Sequence, residues 1–202
     1  MNQPQTEYDI YKQKALDVLH RTKSVSAVRE FIESISDDDY RDHTFLNMAV
    51  YLAKQGDFLD AVGFCECIRR PLERADAFTD VAREVKNFKG ATLAKDLLKK
   101  AIKAVNAGSC DPWEATAVWL GVANDMWLLE ERDEAIALVE KSVALCENQS
   151  DPIAGSKTLA GCARALTRWG KLQRALEIAQ LVEPATLRSL LLEELQRNSK
   201  LG

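Results

Sequence analysis

Few side chains in this sequence have the types and spacing that catalysis or metal binding requires. The two histidines, His20 and His43, lie in different parts of the chain and belong to no HExxH motif. Cys65 and Cys67, in "FCECI", point to different sides of a helix, and no CxxC or histidine pair follows at a spacing that suits zinc. The sequence therefore predicts no metal site, and Cys65, at an apolar position, is expected in the core.

The common phosphate-binding and nucleophile motifs are missing as well. The sequence contains no GxxxxGK[ST], no GxGxxG and no GxSxG. Without a candidate nucleophile, base or nucleotide-binding loop, the sequence predicts a protein that is not an enzyme and has no cofactor.

The composition favours helices and disfavours some classes of partner. The 202 residues include only nine glycines and five prolines, and the net charge is -4. An acidic chain disfavours binding to nucleic acid or to an anionic membrane. The N-terminus has no apolar run of signal-peptide length, and the five cysteines are an odd number, so we expect free thiols and a cytoplasmic protein.

A pair of alanines twelve residues apart recurs five times along the chain. A large side chain stands four residues before the first alanine of each pair, and an apolar residue stands three residues after it. The steps between first alanines are 34, 33, 41 and 40 residues, so the sequence consists of five repeated units. The pairs are Ala15 and Ala27, Ala49 and Ala61, Ala82 and Ala94, Ala123 and Ala135, and Ala163 and Ala175.

The spacing within each unit predicts two antiparallel helices. Residues at i, i+4 and i+7 share one face of a helix, and the second alanine lies in another apolar helical run. Turn signals such as "KQGDF" separate the two runs, and Gly56, Gly90 and Gly170 suit a left-handed turn conformation. The small alanine side chains allow the two helices to approach closely, so they form the seam of each helix pair.

Helix starts are marked by proline and aspartate. Three units have a proline eleven residues before the first alanine, and Asp111 and Asp151 precede two of these prolines as expected N-caps. A final helix from Pro184 has no partner helix and is expected to cap the last pair. The sequence thus predicts one domain, 1–202, with helix pairs at about 8–36, 38–70, 71–108, 112–148 and 152–183 and a capping helix at 184–199.

These columns resemble the tetratricopeptide (TPR) repeat, whose pattern is W-x2-L-G-x2-Y followed by A-x3-F. The resemblance implies an all-α, right-handed superhelix of about five helix pairs. Alanine replaces the glycine of the family, and the two longer units also suit HEAT-like packing. The matching residues are Trp119, Val122, Ala123, Met126, Ala135 and Val139 in one unit, and Phe45, Met48, Ala49, Leu52, Ala61 and Cys65 in another.

In the TPR family the first helices line a concave groove that holds peptides. The resemblance therefore implies a groove in which basic and amide side chains flank one tryptophan, as suits an acidic peptide or a terminal carboxylate. Solvated helix faces would also explain the charges, and Trp127 equally suits core packing. The implied binding residues are Arg83, Lys86, Asn87, Asn124, Trp127, Lys157, Arg164 and Arg168, and the same columns include Asp76, Thr79, Leu120, Leu128, Ala160 and Thr167.

Taken together, the sequence predicts a non-enzymatic protein–protein interaction module. An adaptor, a scaffold and a client chaperone all fit a stack of helix pairs that holds a peptide or protein segment in its groove. The alternative is a helical-repeat protein that binds single-stranded RNA, as pentatricopeptide repeats do. The acidic composition and the unequal unit lengths argue against this alternative.

Overall fold

The computed structural model describes residues 6–88, 90–108, 110–147 and 152–199. Within these ranges the chain forms eleven α-helices and no strand, which confirms the all-α prediction. The helices are α1 Glu7–Thr22, α2 Val25–Glu33, α3 Asp38–Gln55, α4 Phe58–Cys67, α5 Pro71–Asn87, α6 Ala91–Ala107, α7 Pro112–Leu128, α8 Arg132–Glu147, α9 Pro152–Arg168, α10 Leu172–Gln180 and α11 Ala185–Ser199.

Consecutive helices pack in pairs, as the repeat predicts. The pairs are α1 with α2, α3 with α4, α5 with α6, α7 with α8, and α9 with α10. The chain divides into two compact units, Met1–Ser109 and Cys110–Gly202. In the first unit, α3 lies between α1 and α5, and in the second, α9 lies between α7 and α11. The handedness of the superhelix and the single domain stay predictions.

The repeated alanines are buried, as expected for residues at the seam of each helix pair. Nine of the ten are buried, and only Ala27 is half-buried. The large residue four positions earlier is also buried in four of the five units, and Tyr11 of the first unit is half-buried. A buried small residue beside a buried large one allows close helix packing at high density.

The turns within the pairs use the left-handed conformation, although not always at glycine. Gly56 and Gly170 have φ of 89° and 73°, as expected. The prediction is wrong for Gly90, whose φ is -85°. Glycine is needed there for space, because a Cβ atom would lie 2.7 Å from Val85 Cγ1. In the fourth repeat, which has no glycine at the turn, Glu130 takes the left-handed conformation with a φ of 64°.

The helix starts follow the expected capping chemistry. The helices α5, α7 and α9 begin at the prolines identified in the sequence. The backbone N–H of Trp113 donates to the Asp111 carboxylate at 2.8 Å, so Asp111 is the N-cap of α7. Asp37 caps α3 in the same way. Asp151, the other expected cap, lies outside the described residues.

A buried carboxylate holds the loop between α4 and α5. Asp42 is 0% exposed, and its Oδ2 atom accepts hydrogen bonds from the backbone N–H groups of Arg69 and Arg70 at 3.1 and 2.9 Å. The guanidinium of Arg41, a residue only 4% exposed, lies 3.4 Å from Asp42 Oδ1 and also contacts the Asp38 carboxylate. Asp42 therefore both neutralises a buried cation and satisfies two backbone donors.

In the fifth repeat, a serine occupies the column in which the second repeat has Asp42. Asp42 stands seven residues before Ala49, and Ser156 stands seven residues before Ala163. The Ser156 hydroxyl is buried and accepts a hydrogen bond from the backbone N–H of Glu183 at 2.8 Å. In the second and fifth repeats, a buried polar residue in this column thus holds the loop that leads into α5 or α11.

Replacing a seam alanine by leucine should destabilise the fold. We expect Ala135→Leu to lower the free energy of unfolding by about 1–3 kcal/mol, because the extra methylene groups have no space at the helix contact. Ala94→Leu should behave in the same way. The matched control is Ala137→Leu on the exposed side of α8, which should change the urea midpoint little. Equal midpoints for Ala135→Leu and Ala137→Leu would contradict the seam assignment.

Candidate peptide-binding site

Two of the residues expected in the groove meet between α7 and α9 of the second unit. Arg168 Nη2 donates a hydrogen bond to Asn124 Oδ1 at 3.2 Å, although the residues are 44 apart in sequence. The Asn124 side-chain amide also donates to the Leu120 carbonyl oxygen at 2.8 Å. Side-by-side packing of first helices therefore brings together polar groups from consecutive repeats.

Arg164 already holds a carboxylate of its own chain. Its Nε and Nη2 atoms donate to the two carboxylate oxygens of Glu194 on α11, each at 2.8 Å. These hydrogen bonds raise the pKa of Arg164 and lower the pKa of Glu194. The pair is therefore ionised at neutral pH, in the parallel two-bond geometry that arginine forms with carboxylates.

A cleft of about 490 Å³ lies between α9 and α11 beside this ion pair. Two arginines and a carboxylate contribute its charges, and Thr167 and Asn198 contribute neutral polar groups. Leu195, the one apolar residue of the lining, is itself buried. The lining residues are Arg164, Thr167, Arg168, Glu194, Leu195 and Asn198. Five of the six lining residues are polar or charged, so the cleft suits a charged ligand better than an apolar one.

Trp127 forms an aromatic pair rather than filling the core. Its ring stacks on Trp169, with centroids 4.6 Å apart and planes 5° from parallel. The guanidinium of Arg132 lies 5.3 Å from the Trp127 ring centroid, and both tryptophans are half-buried. Trp127 thus links the ends of α7 and α9, and its ring is only partly available to a ligand.

In the compact unit Met1–Ser109, the surroundings of the expected binding residues on α5 are less basic than the sequence indicates. Arg83 Nη1 lies 2.8 Å from Asp80 Oδ1, which balances its charge. On the same helix, desolvation and then the charge of Asp80 raise the pKa of Asp76 to about 6. Lys86 is half-buried and Asn87 is exposed. Carboxylates therefore accompany the expected cations on α5.

The remaining residues assigned to groove columns are partly misplaced. Lys157 is exposed on α9, as expected. Thr79 and Ala160 are buried, so their assignment to a solvent-facing groove is wrong. The Thr79 hydroxyl donates to the Ala75 carbonyl oxygen of its own helix.

Burial shifts the pKa of two thiols and one imidazole. Burial raises the pKa of the Cys65 and Cys162 thiols to about 12, which disfavours the reactive thiolate. Burial also lowers the pKa of His43. Cys110 is half-buried.

The described part of the chain has neither a metal-binding cluster nor a helix that could span a membrane. No three His, Cys, Asp or Glu residues there are grouped to hold a metal ion. No helix among these residues is long and apolar enough to span a membrane.

Comparison with known proteins shows the fold. No protein-family model and no curated protein match the sequence, whereas twelve solved chains match the structure. A Podosopora anserina protein assigned as a kinesin light chain, with nearly identical TPR-like repeats, is 17% identical, with a TM-score of 0.52 over 98% of this chain and 100% of that chain. A variant of it has the same identity and TM-score over 93% and 95%.

A third similar structure is Ton1535 from Thermococcus onnurineus NA1. It is 13% identical, with a TM-score of 0.52. The alignment covers 94% of this chain and 55% of that chain. At these identities the likeness concerns the fold, and this chain therefore has a TPR-like fold of repeated helix pairs.

Proposed function

We propose that this protein is a non-enzymatic interaction module, an adaptor, scaffold or client chaperone, which binds an acidic peptide or protein segment on its first helices. The second unit supplies the principal contacts, from Asn124, Arg164 and Arg168. The TPR-like fold supports the general role, because stacked helix pairs expose extended surfaces suited to protein segments.

The observation that carries the proposal is the ion pair between Arg164 and Glu194. The Glu194 carboxylate binds the guanidinium of Arg164, a residue that the sequence predicts to bind an acidic ligand. It accepts two hydrogen bonds of 2.8 Å. The acidic segment uses the same chemistry: one of its carboxylates binds Arg168 or replaces Glu194 on Arg164. Thr167 and Asn198 supply neutral hydrogen-bonding groups at the cleft.

Reversing the charge of Arg168 should weaken binding without disturbing the ion pair that fastens α11. Peptides selected from a random library against the wild type should be enriched in Asp and Glu. We expect Arg168→Glu to reduce their affinity about tenfold, because a like charge then faces the ligand. The measurement is a peptide titration at two salt concentrations, and affinity should fall as salt rises because the charges are screened.

Two matched variants accompany this titration. Lys171→Glu makes the same charge change at an exposed residue outside the cleft and should leave the affinity within about twofold of the wild type. Glu194→Gln should raise the affinity by removing the competing carboxylate, whereas Glu193→Gln on the exposed side of α11 should not. Selected peptides without acidic enrichment, or equal binding by Arg168→Glu, would contradict the proposal.

A further inference from the structure

A second cleft lies in the first unit, among α4, α5 and α6. Its volume is about 340 Å³, and Arg74, Lys100 and Lys103 give it positive charge. Ala107 contributes apolar surface, Phe78 is largely buried, and Glu66 is the one carboxylate among the lining residues. The cleft involves the second helices α4 and α6, so it is separate from the residues of the proposed peptide site.

Two of the three cations in this cleft lack an ion-pair partner in the part of the chain that the structure describes. Lys100 Nζ lies 2.7 Å from Glu66 Oε1 and 5.6 Å from the Phe78 ring centroid. Among the described residues, by contrast, neither Arg74 nor Lys103 has an ion-pair partner. Arg74 is also half-buried, and a cation removed in part from water gains most from a hydrogen-bonding anion.

We propose that this cleft binds an acidic segment of a partner protein, in which a carboxylate stands beside an apolar side chain. The carboxylate pairs with Arg74 and Lys103, and the apolar side chain covers Ala107 and the alkyl part of the lysines. The volume of about 340 Å³ suits one or two side chains rather than a folded domain. The charge complementarity of two unpaired cations selects an anionic partner.

The aromatic content of the cleft favours a peptide over RNA. Single-stranded nucleic acids bind basic grooves through bases stacked on exposed aromatic rings. Phe78, the one aromatic side chain in the lining, is only 4% exposed, so its ring offers no stacking surface. A carboxylate with an aliphatic neighbour matches the cleft better.

The test uses a capped pentapeptide, acetyl-Glu-Leu-Glu-Leu-Glu-amide, titrated into the isotopically labelled full chain. We expect amide chemical-shift changes at Lys103, Ala104 and Ala107 that saturate with peptide concentration. The peptide with Gln in place of Glu should bind at least fivefold more weakly. Saturable shifts confined to other residues, or no shifts up to millimolar peptide, would overturn the proposal.

Variants assign the binding to the cleft. Lys103→Glu combined with Arg74→Gln should reduce the affinity about tenfold, while Lys99→Glu, an exposed residue of α6 outside the lining, should change it less than threefold. Ala107→Glu should abolish binding, because the new carboxylate can pair with Arg74 and Lys103 and so compete with the peptide. Urea midpoints check that each variant folds. Equal losses for the double variant and Lys99→Glu, or displacement of the peptide by poly(U) RNA with no preference for Glu over Gln, would refute an acidic protein partner.

Discussion

Asp42→Ala should lower the free energy of unfolding by about 3–5 kcal/mol, because it removes a fully buried carboxylate and leaves Arg41 with only the exposed Asp38 as an ion-pair partner. The substitution also deprives the backbone N–H groups of Arg69 and Arg70 of their acceptor. Asp42→Asn keeps an acceptor oxygen but removes the charge, so it should cost less than Asp42→Ala. Urea denaturation followed by circular dichroism measures both variants.

A matched control separates this effect from a general loss of charge. Asp96 is exposed in the middle of α6, and Asp96→Ala should change the free energy of unfolding by no more than about 0.5 kcal/mol. Similar urea midpoints for Asp42→Ala and Asp96→Ala would show that the buried pair does not stabilise the fold.

The second large effect is expected at the capping helix. Leu191 and Leu195 of α11 are buried at 1% and 0% exposure, against the last helix pair. Leu195→Ala should destabilise by about 2–5 kcal/mol, through lost burial and the cavity that remains. A chain ending at Glu183 should melt at lower temperature and self-associate, because the apolar surface beneath α11 is then exposed.

Leu190 provides the control on the same helix. It is 64% exposed, so Leu190→Ala should leave the melting temperature nearly unchanged. A truncated chain that stayed monomeric with the melting temperature of the full chain would show that α11 is not a cap.

The helix pairing could be predicted because it depends on side-chain size at a regular spacing. Ala49 and Ala61 share a helix contact, and the columns of Phe45 and Leu52 identify the buried face of the first helix. Such patterns are visible within one unit and are repeated in the others. Local turn geometry was less predictable: Gly90 is glycine because of the nearby Val85 side chain, a contact that depends on three-dimensional packing.

The charged contacts could not be predicted, because they join residues far apart in sequence. Arg164 and Glu194 are 30 residues apart and meet only because α11 packs beside α9. Asp42 is one of several acidic residues at the start of α3, and the local sequence does not mark it as the one that faces inwards. Its column offered one usable signal, since Ser156 occupies the same repeat position.

Photocrosslinking from the cleft of the second unit tests the proposed function most directly. A benzoylphenylalanine side chain at Asn198, which is exposed and lines the cleft, is compared with the same side chain at Ala137, exposed on α8. After irradiation in the source cells, mass spectrometry identifies the attached molecule. The proposal predicts crosslinks from position 198 to an acidic protein segment, lost in Arg168→Glu, and none of these from position 137. Crosslinks to RNA, or to the same protein segment from position 137 alone, would contradict it.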